Sequence, residues 1–266
     1  MTKTERLALP LLRLKGKTIL VTGATSGYGQ AITTLAIAEG ARVVATGRSE
    51  AKLAPLRAMF TAQQLYTLVM DVRDHTQVTA AISSLPDSWK ALDGLVNNAG
   101  LALGMAPAQK GSMEQWSEMV DTNIKGVLHC THEVLAGMVA RNAGHVVMIG
   151  SMAGSYAYPG GNVYGGTKAF VKHFAMNLRA DLLGSRVRVT CVEPGMSAGS
   201  QFSQTRFAGD EAKAASVYAG TEPLWPEDVA ECVVWALSLP PHVNIDSIAV
   251  MPTYQAPAAL AVHREA

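Results

Sequence analysis

A chain of 266 residues with 48% hydrophobic and 16% charged residues, including 24 glycines, has the composition of a well-buried globular protein and excludes the disordered class. Its formal net charge of +1 gives no electrostatic case for nucleic acid or an acidic membrane surface. Cys130, Cys191 and Cys232 are far apart and form no CxxC, as free thiols in a reducing compartment would be, and they suggest no metal site.

The apolar stretch from Leu7 to Leu14 is interrupted by Pro10 and Arg13. It is too short to span a membrane and lacks a small-residue cleavage site, so residues 1–14 are expected to lie on the surface of a cytoplasmic protein. Apolar runs then predict strands at Thr18–Thr22, Arg42–Thr46, Leu65–Met70, Gly94–Val96, His145–Ile149, Arg188–Val192 and Ser247–Met251. They lack polar alternation, which suits strands buried on both faces. Helical stretches lie between them. One runs from Ser112, with Ser112 and Gln115 as a capping box, to about Arg141, and another from Asn162 to Leu183. Alternating βαβα units predict one doubly wound, Rossmann-like α/β domain over 15–266, with a parallel sheet of about seven strands and helices on both faces. The irregular stretch 195–224 is long enough to be a substrate loop, and 252–266 forms a tail.

Directly after the first strand comes Thr22-Gly23-Ala24-Thr25-Ser26-Gly27-Tyr28-Gly29. Gly23 permits a tight turn, Gly27 lets backbone approach a pyrophosphate, and Gly29 permits close helix–sheet packing at an anion-binding helix N-terminus. The second strand ends in Gly47-Arg48-Ser49, without the acid that accepts from a ribose 2′-hydroxyl. An Arg there grips a 2′-phosphate, so NADP is the expected cofactor; the alternative is a solvated loop charge. Asp71-Val72 closes the third strand, where an Asp can accept from an adenine amino group or serve a helix N-terminus. Asn98, Ala99 and Gly100 offer small residues and an amide to the same cleft, or simply form a polar turn.

Tyr164 and Lys168 stand four residues apart on one helical face, with Ser151 at the end of the fifth strand and Asn123 inside the long helix. Carbonyl reduction needs a proton donor at oxygen while hydride reaches carbon. At roughly 4 Å and an effective dielectric near 20, an ammonium stabilises a phenolate by about 4 kcal/mol before desolvation. Lys168 is therefore expected to lower the Tyr164 pKa, Ser151 to bond the substrate oxygen, and Asn123 to hold a proton-relaying water. Taken singly, each has an ordinary structural reading.

Taken together, from about Lys15 to the C-terminus, the chain resembles the short-chain dehydrogenase/reductase family. The resemblance rests on Thr22-Gly23 to Gly29, Asp71, Asn97 to Gly100, Asn123, Ser151, Tyr164, Lys168 and Pro194-Gly195. It implies the tetrad Asn123–Ser151–Tyr164–Lys168, with Lys168 also on the nicotinamide ribose and Pro194, Gly195, Met196 and Ser197 along the nicotinamide. It also implies a homotetramer.

Asn97 to Gly104, Gly160 to Gly165, Phe202-Ser203-x-x-Arg206-Phe207 and Leu239 to Ile245 are similar to a narrower subgroup. Its members are NADP-dependent dehydrogenases of 3-hydroxy acids (serine, 3-hydroxyisobutyrate, and malonic semialdehyde in reduction), and sulfoacetaldehyde reductases share much of the pattern. A small anionic substrate needs a donor fork, for which Arg206 is the candidate, with a loop or subunit contact as its other reading. Met152 and Tyr158 either wall the pocket or are ordinary packing. The remaining alternatives are 3-oxoacyl-carrier-protein reduction, which would favour a basic patch, and a non-enzymatic NADP sensor, which would typically have lost Tyr164 or Lys168.

Overall fold

The computed structural model describes residues 12–257. Seven strands, β1 (Thr18–Val21), β2 (Arg42–Gly47), β3 (Leu65–Val69), β4 (Gly94–Asn97), β5 (Gly144–Ile149), β6 (Val187–Pro194) and β7 (Ser247–Val250), form one parallel sheet in the order β3-β2-β1-β4-β5-β6-β7. The chain winds outward one way through β3, then crosses to β4 on the other side of β1. This reversal opens a crevice past the carboxyl ends of β1 and β4, where doubly wound sheets bind ligands.

The helices α1 (Gly27–Ala38), α2 (Glu50–Ala58), α3 (His75–Ser83), α4 (Asp87–Lys90), α5 (Met113–Val120), α6 (Gly126–Ala140), α7 (Asn162–Asp181), α8 (Phe202–Arg206), α9 (Glu211–Ser216) and α10 (Pro226–Ser238) complete the chain. Alternate strand residues enter two cores. Ile19 and Val21 pack with Ile32, Ala36, Val229 and Val233 on the α1/α10 face, while Leu20 packs with Val78, Val134 and Val171 on the α3/α6/α7 face. Burial on both sides explains the unbroken apolar runs of the central strands. The edges differ: Val69 on β3 is 51% exposed, and β7 has no fully buried residue, because among the described residues neither strand has a neighbour beyond it.

Three expectations change. The predicted Ser112–Arg141 helix starts as foreseen, with Ser112 accepting from the Gln115 N–H at 3.3 Å, but it contains a π-helical turn over Asp121–Lys125. The stretch 195–224 is not irregular, since it folds α8 and α9. Of the extension placed at 1–14, residues 1–11 lie outside the described residues, but Leu14 is only 2% exposed in the core. Arg13 pairs with Glu39 at 2.7 Å and Glu231 at 2.5 Å, so the folded body begins before residue 15 by joining α1 to α10. Among the described residues no helix is long and apolar enough to cross a membrane.

Candidate active site

The turn from β1 into α1 is held by backbone that favours glycine. Gly23 (φ +64°) and Gly27 (φ +51°) are left-handed. A Cβ on Gly29 would lie 2.2 Å from the Gly23 carbonyl oxygen and 2.5 Å from Asn98 Nδ2. Ser26 occupies the N-cap of α1 and its side chain caps nothing, so the first N–H groups of that helix remain open to an anion.

Around this turn lies a cleft of about 640 Å³. It is lined by Gly23, Thr25, Ser26, Gly27, Tyr28, Gly47, Arg48, Asp71, Val72, Asn98, Ala99 and Gly100 towards one end. Towards the other it is lined by Ser151, Met152, Tyr158, Tyr164, Lys168, Pro194, Gly195, Met196, Ser197 and Arg206. Four predicted site residues fall outside the lining: Ala24, which is fully buried, Gly29, which is packed on the turn, Ser49 at the N-cap of α2, and Asn123.

Two asparagines do structural work. Asn98 Nδ2 donates to the carbonyls of Thr22 (2.8 Å) and Gly23 (3.1 Å), fastening the phosphate turn to the end of β4. Asn123, 1% exposed, bonds through both ends of its amide: Oδ1 accepts from Leu101 N–H, and Nδ2 donates to Leu101 O and to Thr167 Oγ1. Its side chain therefore ties the loop after β4 to α7, with both N–H donors used and one lone pair of Oδ1 uncommitted. It does so from within the π turn, a local widening often found at functional sites.

Tyr164 and Lys168 are both buried on the first turns of α7. Lys168 Nζ donates to the Ile149 carbonyl at 2.7 Å and stands 6.0 Å from the Tyr164 ring centroid. Burial pushes the Tyr164 hydroxyl above its ordinary value; Ser151 and Arg206 pull it back, Ser151 the more strongly. Burial likewise pushes Lys168 down to about 8. Desolvation dominates because both groups sit in a shielded pocket whose interior cannot be inferred from an i, i+4 spacing.

Arg206 reaches the same pocket from the last turn of α8. Its guanidinium lies 5.4 Å from the Tyr158 ring centroid and 5.7 Å from that of Tyr164, and Nη2 donates to the Tyr158 hydroxyl at 2.7 Å. Its backbone carbonyl accepts from Gly104 N–H at 3.0 Å, so α8 is pinned to the loop after β4. A loop role and an aromatic-stacked cation in the cleft coexist in this one residue.

Asp71 departs from expectation in its partner. Arg73 grips its carboxylate through Nε and Nη2, the latter at 2.6 Å; burial pushes Asp71 up, but the Arg73 bonds outweigh it and hold the carboxyl below its ordinary value. Sequence reasoning also missed Lys52, Thr122, Tyr218 and Gln255. Lys52 lies in the first turn of α2, four residues after Arg48, and lines the cleft with it. Gln255 Oε1 accepts from Met196 N–H at 2.7 Å, and Tyr218 donates to the Ser197 carbonyl at 2.7 Å; both contacts depend on long-range folding that leaves no local pattern.

These residues fit a dinucleotide phosphate. The second-strand end carries no acid and two cations, Arg48 and Lys52, on the cleft. The buried Thr122 Oγ1, in the cleft wall, has no protein partner. The sequence profile described as short chain dehydrogenase matches residues 17–211. The chain belongs to the short-chain dehydrogenase family. This short-chain dehydrogenase is 51% identical over 247 residues to the NADP-dependent 3-hydroxy acid dehydrogenase YdfG of Escherichia coli K12, covering 93% of this chain and 99% of the relative. It is 44% identical over 248 residues to the serine 3-dehydrogenase of Agrobacterium fabrum, covering 93% and 98%. Among solved structures, the closed form of serine dehydrogenase complexed with NADP+ superposes with a TM-score of 0.92 at 51% identity, over 93% of this chain and 100% of that one.

Proposed function

We propose that this short-chain dehydrogenase transfers hydride between NADP(H) and short 3-hydroxy acids or the matching semialdehydes, serine and 3-hydroxyisobutyrate being the substrate type. The observation that carries the reading is Arg206, a cation stacked 5.7 Å from the ring of Tyr164 inside the cleft that holds the phosphate turn. A carboxylate on Arg206 sets the adjoining hydroxyl carbon beside the phenol. The names of the relatives favour carboxylate and lend no support to a sulfonate such as sulfoacetaldehyde.

In this reading Arg48 and Lys52 hold the 2′-phosphate, and the open N-terminus of α1 holds the pyrophosphate. The bound dinucleotide supplies or accepts the hydride. Tyr164 holds the proton that the substrate oxygen loses in oxidation or gains in reduction, Ser151 orients that oxygen, and Lys168 bears on the ring from the cofactor side. Asn123 is a positioning residue, through Leu101 and Thr167. Retention of Tyr164 and Lys168 in the cleft favours an enzyme over a cofactor sensor. The same reading carries a cytoplasmic homotetramer, for which exposed Leu128, Val139 and Met176 on α6 and α7 offer apolar surface, and light scattering in solution checks the assembly.

The test is a panel of L-serine, 3-hydroxyisobutyrate, 3-hydroxypropionate, isethionate and neutral alcohols of equal size, each with NADP and NAD. Oxidation of the carboxylates with NADP is the expected result. Equal rates with neutral alcohols, or a preference for NAD, would refute the assignment.

A further inference from the structure

A second cluster of chemistry-bearing side chains lies outside the cleft, where the start of α3 meets α6. His129, His132 and Glu133 occupy one face of α6 by their i, i+3, i+4 spacing, and His75 is the first residue of α3. Glu133 Oε1 lies 2.8 Å from His75 Nε2 and 3.3 Å from His132 Nδ1. Two imidazoles from different helices therefore point at one carboxylate oxygen.

The donor atoms of His75, His132 and Glu133 all lie within 4.8 Å of one another. Donors around a tetrahedral ion at zinc–nitrogen distance sit about 3.3 Å apart, so a small side-chain adjustment brings the three onto one ion. The rings are also braced. His75 stacks on His129 (centroids 4.9 Å apart, planes 22° apart), and His129 Nδ1 donates to the Val72 carbonyl at 2.9 Å. Such outer contacts orient metal-binding imidazoles.

None of these three side chains lines the cleft or takes part in the proposed redox chemistry. The geometry points to a surface site for a divalent transition-metal ion of the zinc and nickel class, held by His75, His132 and Glu133 and stapling α3 to α6. Two imidazoles and one carboxylate suit these borderline ions and not magnesium or calcium, which prefer all-oxygen shells. The ion enters freely, since the side chains of His132 and His75 are 79% and 51% exposed, and water completes its shell. The sequence hides the site because His75 stands far from the α6 ligands along the chain.

Untagged protein, stripped with chelator and exchanged into chelator-free buffer at pH 7.5, is titrated calorimetrically with ZnCl2 and melted with and without it. One equivalent per chain is expected, with a Kd on the order of 10 μM or tighter and a saturable rise in Tm, because an ion that binds only the folded state stabilises it. His75→Ala and His132→Ala should each weaken binding at least tenfold and abolish the Tm rise, with NADP-dependent turnover and far-UV circular dichroism unchanged. Glu133→Gln, which preserves shape, should weaken binding as well. Absence of stoichiometric uptake below 100 μM zinc, or wild-type binding by both histidine variants, would overturn the site and leave a pair of ordinary His–Glu hydrogen bonds.

Discussion

Lys168 makes the protein less stable at neutral pH than it would be with an apolar residue of the same shape, and Lys168→Met measures by how much. The ammonium is 7% exposed and burial pushes its pKa down from 10.5 to about 8. A base depressed on folding carries its full penalty below the folded value. The penalty is relieved as pH rises from there to the unfolded value, because over that window the unfolded chain binds the extra proton. At 1.36 kcal/mol per pKa unit the cost is about 3 kcal/mol at pH 7 and about 1 kcal/mol at pH 9.5. Methionine removes this cost but leaves the Ile149 carbonyl without its donor, a loss of about 1–2 kcal/mol that does not vary with pH. Stability relative to wild type should therefore fall by about 2 kcal/mol between pH 7 and pH 9.5. At this chain length that is a change of about 5 °C in the Tm difference. Thermal melts of both proteins at the two pH values, without added dinucleotide, read it directly. A Tm difference constant with pH, or one that grows towards alkaline pH, would refute the claim that a desolvated ammonium sits beneath the cleft.

Tyr164→Phe should lower kcat by about 10²- to 10⁴-fold while the NADP Kd, followed by fluorescence titration, stays within a few-fold of wild type. Arg206→Gln removes a charged hydrogen bond worth about 1.5–3 kcal/mol; kcat/KM should fall about tenfold to a hundredfold further for 3-hydroxy acids than for neutral alcohols of the same size. Gly29→Ala puts a methyl group 2.2 Å from the Gly23 carbonyl oxygen, and backbone cannot yield as a side-chain tip does. NADP binding should be lost and Tm should drop by several degrees in differential scanning fluorimetry.

The seven strands were legible because each is a short apolar run bounded by turns, and the crevice followed from the alternation of strands and helices. The phosphate turn was legible through Gly23 and Gly27, whose left-handed backbone favours glycine, and Gly29, where a Cβ would meet the Gly23 carbonyl. The features that escaped depend on distance along the chain. Arg13 reads as a break in an apolar segment until Glu39 and Glu231 are brought to it. The π turn at Asp121–Lys125 has ordinary helical spacing in the sequence, and the bonds of Asn123 to Leu101 and Thr167 from within it are long-range contacts. Asp71 was read without Arg73, although the partner lies two residues away, because a cation in a loop can point anywhere. The electrostatic inference about Tyr164 erred for a related reason: Coulomb attraction was calculated from a spacing, whereas desolvation comes from the whole pocket.

That correction changes what controls the phenol, and a measurable coupling follows. Arg206 and Lys168 stand 5.7 Å and 6.0 Å from the Tyr164 ring centroid. At about 6 Å and an effective dielectric near 20, a cation stabilises a phenolate by about 3 kcal/mol before screening, and Arg206 pulls the Tyr164 hydroxyl down. Lys168 is held by the Ile149 carbonyl, whereas a carboxylate on Arg206 neutralises the guanidinium just when Tyr164 must accept a proton. The phenol in a hydroxy-acid complex should therefore titrate higher than in a neutral-alcohol complex, and kcat for oxidation, which reports the bound state, should rise at higher pH with the acid. Allowing half the attraction for screening leaves a separation of about one pH unit between the two kcat profiles. Profiles of kcat against pH for 3-hydroxyisobutyrate and for a neutral alcohol of the same size test this, with Arg206→Gln as the control in which the separation should vanish. Superimposable wild-type profiles would show that Arg206 holds the substrate without influencing the proton, and that binding and proton transfer in this cleft are electrostatically independent.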